Sequence, residues 1–194
     1  MNELVARRVQ VLRSAEGVFF RLGYGRAGMR ELAEAAGMSR PALYNLYPRK
    51  HLIFAAVIAA ASEDARVEDR SERSLQSLRS WLSWACELWL GHEAAGLPDD
   101  SGAKYPQRLE RFFEESDLFN TMLREALARI APWLVDAPNS EEFFRLLAFC
   151  LWGLVVTAPS ETDRKRLLDL QIGALVDSAA LSSASDVAAV SAKH

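Results

Sequence analysis

Residues 28–50, GMRELAEAAGMSRPALYNLYPRK, leave room for two short helices joined by a tight turn, and for little else. Leu32, Ala33 and Ala36 recur at helix spacing over roughly 28–36. Ala36-Gly37-Met38 then makes the turn, and Ser39 is placed to cap a second helix over about 40–46. Pro41 falls in the first turn of that helix, where a missing N–H costs least, and Pro48 ends it. Helix, tight glycine turn and helix make a helix-turn-helix, although glycine-joined helix pairs also occur in packed cores.

The flanks continue the helical pattern. Before the motif, Val5, Leu12, Ala15, Phe19 and Leu22 form a stripe that stops at Gly23, a left-handed cap. After it, a helix from about Lys50 to Glu68 carries Ile53, Phe54, Val57, Ile58 and Ala61. Further helices are expected at about 74–90, 107–115, 117–131, 139–158 and 160–181, with 91–106 as a loop. Asn139 with Glu142, and Ser160 with Asp163, open the last two as capping-box variants. There is no strand alternation and no internal repeat. The sequence therefore predicts an all-α fold, with a three-helix head at 1–49, a larger helical domain at 50–182 and a flexible tail at 183–194.

Charge is divided unevenly. Residues 1–50 hold nine Lys/Arg against four Glu, whereas residues 51–194 hold fourteen Lys/Arg against twenty-two Asp/Glu. Such a division is expected when one small region meets a polyanion and the remainder does not. In a helix-turn-helix the second short helix enters the DNA major groove. Arg40, Asn45 and Lys50 have the side-chain chemistry for that, and Tyr44 offers a hydroxyl. Leu43 and Tyr47 lie on the other face and read as core.

Other chemistries find little support. Cys86 and Cys150, the only cysteines, sit among apolar neighbours and read as buried thiols. With His51, His92 and His194 scattered, no metal site is expected, and no cofactor. There is no Ser/His/Asp set or Gly-rich phosphate loop, so the chain is not read as an enzyme. The acidic cluster Glu114, Glu115 and Asp117 reads as a solvated helix boundary. No apolar run is long enough to span a membrane, and the N-terminus has no leader-like segment, so a cytoplasmic location is expected.

The stretch from Ala15 to Ile58 resembles the DNA-binding domain of the TetR family of transcriptional regulators. The resemblance is carried by Phe19, by Gly23-Tyr24, by RELAEAAGMSRPALYNLY, and by Lys50 with the apolar helix after it. It covers about 45 residues, and helix spacings, turn glycine and Leu43-Tyr44 all agree. The resemblance implies a homodimer that binds double-stranded operator DNA and a C-terminal domain that binds a small effector. It also implies that Tyr44, Asn45 and Lys50 contact phosphate. Ser39, Arg40, Pro41 and Ala42 match positions that face bases or nearby backbone, and Arg30 matches one that lies near DNA. Ala27-Gly28 stand where the family often has Thr or Ser.

Aromatic residues crowd the second half, and all five tryptophans fall within 81–152. They fill a core or line a cavity. Trp81, Trp84, Trp89, Phe112, Phe113, Phe119, Trp133 and Trp152 are the candidate pocket residues, suited to a hydrophobic or aromatic effector. The segment FFRLLAFCLWGLVVTA, 143–158, has no charge after Arg145 and calls for burial on both sides. Cys150, Gly153, Leu154 and Thr157, with Leu167, Leu170, Gln171 and Ala174 of the next helix, are the candidate dimer residues. Two helices from each subunit would then make the four-helix interface that is usual in the family.

The expected function is that of a ligand-responsive transcriptional regulator, a repressor released from a palindromic operator by its effector. The alternatives are a constitutive DNA-binding dimer with a filled core, and an all-helical carrier or enzyme whose trihelix is structural.

Overall fold

A computed structural model describes residues 3–63, 65, 71–91, 105–157 and 160–191; within these, the side chains of 105–113, 156–157 and 182–191 are not described. The described residues form helices α1 (Glu3–Arg26), α2 (Met29–Ala35), α3 (Arg40–Leu46), α4 (Lys50–Ser62), α5 (Glu72–Leu90), α6 (Tyr105–Ile130), α7 (Pro132–Val135), α8 (Ser140–Thr157) and α9 (Glu161–Ser191). The fold is all-α, with no strand among the described residues.

The chain divides into two compact units. One comprises Met1–Ala61 and Ala85–Ala95, the other Ser62–Trp84 and Gly96–His194. The first unit, called the head unit below, holds α4 and the last turns of α5 besides residues 1–49.

In the head unit, α1 and α2 pack together, and α3 packs on α2. Val11, Ala15, Phe19, Leu32, Ala33, Leu43, Ile53 and Phe54 are at most 1% exposed. Each large apolar side chain removed from water contributes about 1.5–3 kcal/mol, so this set is what holds the short helices in place. The inner stripe of α1 runs through Val11, Ala15, Val18 and Phe19. Val5, expected in that stripe, is 47% exposed, because α1 extends past the body it packs on. At Gly23 the helix breaks (φ 73°, ψ 165°) before resuming to Arg26. That conformation is open only to glycine. Beyond the break, four rings close together: Tyr24 stacks on Trp89 at 4.5 Å, while Phe54 meets Phe19 at 5.0 Å and Tyr24 at 5.2 Å edge-on.

In the second unit, α6 packs against α7 and α8, and α9 packs against α7 and α8. Its core holds Leu78, Leu82, Phe119, Leu123, Leu127, Leu134, Leu147, Leu151 and Ile172, all fully buried. Two helices expected at about 107–115 and 117–131 are the single helix α6. Glu114, Glu115 and Asp117 therefore lie within a helix, around a buried Ser116, and not at a boundary. Glu114 and Asp117 are exposed and Glu115 is half-buried, and none of them interrupts the helix. The Ser160 hydroxyl caps α9, accepting the Asp163 N–H at 3.1 Å. From there α9 runs to Ser191, ten residues past the expected end near Leu181. Small residues such as Ala and Ser are aperiodic in hydropathy yet compatible with helix. Most of the predicted 91–106 loop lies outside the described residues.

Candidate nucleic-acid interface

The turn between α2 and α3 is closed at several points. Gly37 takes φ 66°, its N–H bonds the Glu34 carbonyl at 3.1 Å, and Met38 N–H bonds that of Ala33 at 3.0 Å. From α1, the Gln10 amide donates to the Ala36 carbonyl at 2.9 Å. Ser39 caps α3 by accepting the Ala42 N–H at 3.3 Å. At the start of α2, where Gly28 has no side chain to offer, the Glu31 carboxylate accepts the Gly28 N–H at 3.1 Å. Glu31 thus supplies a cap that the Ala27-Gly28 pair lacks, and its position three residues past the N-cap was the signal for it.

α3 is held from one side and open on the other. Leu43 is fully buried, and Tyr47 is half-buried with the Arg8 guanidinium 5.8 Å from its ring centre. Burial pushes the Tyr47 phenol up, and the Arg8 charge draws it partly back. Ser39, Arg40, Pro41, Tyr44 and Asn45 are exposed, with Ala42 half-buried beside them. Among these, Tyr44 leaves 48% of its surface in water. A large aromatic left outward on a short, well-pinned helix is available for contact and contributes little to the core.

The two other expected DNA residues are held differently. Arg30 is exposed but ion-paired with Glu31 at 2.8 Å, and that hydrogen bond and charge raise the Arg30 pKa and lower that of Glu31, whose own backbone N–H is the leading cause of its shift. Lys50 donates from Nζ to the Tyr24 carbonyl at 2.6 Å and lies 4.1 Å from the Tyr24 ring centre. The structure therefore brings Ser39, Arg40, Pro41, Ala42, Tyr44 and Asn45 together on α3, while Lys50 binds the end of α1 to the start of α4. A polar contact of that kind, 26 residues apart, leaves no periodic signal in a sequence.

Residues 11–57 match the family described as bacterial regulatory proteins, tetR family. The match makes the N-terminal head of this chain TetR-like. Over 52 residues it is also 44% identical to the HTH-type transcriptional activator FasR of Mycolicibacterium smegmatis (strain ATCC 700084 / mc(2)155). That match covers 27% of this chain and 24% of the FasR chain, so it speaks for the head. No solved structure matches the chain. The helix-turn-helix thus matches the family model over residues 11–57, and the chain spans about a quarter of the length of the curated relative it matches.

The remaining candidates fall in several places. Trp81 and Phe119 are buried in the second unit, where Trp84, Trp133 and Trp152 are half-buried. The side chains of Phe112 and Phe113 lie outside the described residues. Trp89 falls in the head unit, where it stacks on Tyr24. Of the dimer candidates, Leu170 and Ala174 are exposed, and Cys150, Gly153, Leu167 and Gln171 are half-buried. Leu154 is only 2% exposed and faces its own core, while the Thr157 side chain is outside the described set. Leu146 and Phe149, in the segment expected to be buried on both sides, are 52% and 56% exposed. Among the described residues no group of His, Cys, Asp or Glu could hold a metal ion, and no helix is long and apolar enough to cross a membrane.

Proposed function

We propose that two copies of this TetR-like chain bind a two-fold DNA operator through α3 and release it when a hydrophobic or aromatic small molecule occupies the second unit. The observation that carries the DNA part is the division of α3. Leu43 is sealed behind it, and Arg40, Tyr44 and Asn45 stand outward from a cationic N-terminal segment. Arg40 suits guanine recognition, Tyr44 and Asn45 suit phosphate, and Pro41 and Ala42 suit apolar contact with a thymine methyl.

The dimer part is supported by α8 and α9. Leu146, Phe149 and Leu170 are each more than half exposed, and Gly153 leaves room for close helix approach. Large apolar side chains gathered on neighbouring helices mark an interaction surface, and a second copy gives a two-fold one.

The effector part is supported by polar atoms buried in the second unit. Among the described residues, Trp81 Nε1 and Asn120 Oδ1 are buried without a hydrogen-bond partner. Buried polar atoms are nearly always satisfied, and a ligand would supply what these lack. An effector that favours a dimer with wrongly spaced heads lowers operator affinity by the coupling free energy. Activation is the second reading, favoured by the name of the mycobacterial relative that shares the head.

The test is to sequence DNA fragments selected by the purified protein and to place the selected site before a reporter. Shared inverted repeats and a reporter silenced by the protein support the proposal. A reporter raised by the protein supports activation, and no enriched sequence contradicts both.

A further inference from the structure

A cleft of about 390 Å³ opens on the head unit between the first turns of α1 and the flank of α3. Its walls include Leu4, Arg7 and Gln10 from α1, Met38 from the turn, and Ala42 and Asn45 from α3. Asn45 is also part of the exposed outer face of α3, so the cleft opens at the edge of the surface that carries Arg40 and Tyr44. None of its described lining residues is acidic.

Arg7 brings a charge to this cleft. Its side chain is 60% exposed, and its guanidinium meets the Glu3 carboxylate at 2.7 Å, one helical turn back. An exposed pair of that spacing is weak and screened by salt, so a phosphate can replace the carboxylate at small cost. An Arg guanidinium also matches phosphate geometry in a way that a point cation does not. Leu4, Met38 and Ala42 give the remaining wall an apolar character suited to a deoxyribose edge.

We infer that the N-terminal turns of α1 are a second wall of the DNA footprint, with Arg7 holding a phosphodiester of the strand that runs past Asn45. This rests on the DNA reading above and adds to it a residue and a strand path. The Gln10 amide, tied to the Ala36 carbonyl at 2.9 Å, keeps α1 at the turn and so fixes the width of the cleft.

The test is fluorescence anisotropy with a fragment selected by the protein, between 50 and 200 mM salt, for the full chain and for Arg7→Gln, Arg7→Lys and Glu3→Gln. Losing one phosphate contact lowers the slope of log Kd against log salt by about 0.9 for each bound head, or roughly threefold in affinity over that range. Arg7→Gln is expected to show that loss equally on the selected and a scrambled fragment, and Arg7→Lys to restore most of it. Glu3→Gln is expected to tighten binding, because it removes a competing carboxylate. If Arg7 serves only the helix through Glu3, both Gln variants weaken binding alike and the inference is overturned. An unchanged slope in Arg7→Gln, beside weakened binding in Tyr44→Ala, overturns it while leaving the DNA reading intact. Salt-insensitive, unselective behaviour of the unaltered protein removes both.

Discussion

Gly91, the first residue after α5, lies against the backbone of Gly23 so closely that a Cβ on either would overlap the other strand of the contact. Both take φ 73°, a conformation that side-chain-bearing residues rarely adopt. A methyl at Gly23 would fall 2.9 Å from the Trp89 carbonyl oxygen and nearer still to Leu90, and backbone cannot yield as a flexible side chain can. Gly23→Ala and Gly91→Ala are each expected to cost more than about 2 kcal/mol, from left-handed strain and overlap together. Thermal melts should show a fall of about 4–8 °C for a chain of this size. A shift under 2 °C would mean that the contact is slack.

The rings beside this contact assign Trp89 to the head. Its stacking on Tyr24 at 4.5 Å and its edge contact with Phe54 at 5.7 Å predict a packing role for it. Trp89→Ala is expected to destabilise by about 3–5 kcal/mol, the usual range for removing a buried large aromatic. Trp89→Phe should recover much of that and leave affinity for any effector unchanged. Effector affinity that falls with stability intact would return Trp89 to the pocket.

These two cases show what the sequence made legible. Gly23, Gly37, Ser39 and Pro41 act locally, and each was readable because a turn or cap is decided by a few neighbouring residues. The Gly23–Gly91 approach, the Lys50 bond to Tyr24 and the Arg7 cleft join residues distant in sequence or lying on a bare helix face. Periodicity carries no information about them. The tryptophans illustrate the same limit: their number signalled burial, but not which unit each would enter.

Lys50→Ala is expected to reduce stability as well as DNA affinity. It removes a charge-assisted bond to the Tyr24 carbonyl, a class worth about 1.5–3 kcal/mol. Comparing Kd at a temperature where the variant is fully folded separates the two effects. Wild-type stability in Lys50→Ala would show that the bond is not holding α1 to α4.

Acid should act on the α2 cap. Glu31 has its pKa lowered by hydrogen bonds and by Arg30, so its stabilisation is complete above its unfolded pKa and fades as pH falls through the lowered folded one. Glu31→Ala is expected to melt below wild type at pH 7, with the gap closing in that acid window. A gap that stays constant with pH would exclude the carboxylate as its source.

Phe149→Glu or Leu170→Glu, each placing charge on an exposed apolar position of α8 or α9, should yield monomers by light scattering. Leu154→Ala should leave the assembly intact and cost about 2–5 kcal/mol through a core cavity, since Leu154 faces inward. Intact dimers in both Glu variants would place the interface elsewhere.

The most direct measurement is titration of the DNA fragments selected by the purified protein, at several salt concentrations, with wild type and Tyr44→Ala. A division of α3 into a pinned and an outward face predicts inverted repeats, affinity that falls steeply with salt, and weaker binding once Tyr44 is removed. Fragments without shared sequence, or binding that ignores both salt and Tyr44, would contradict it.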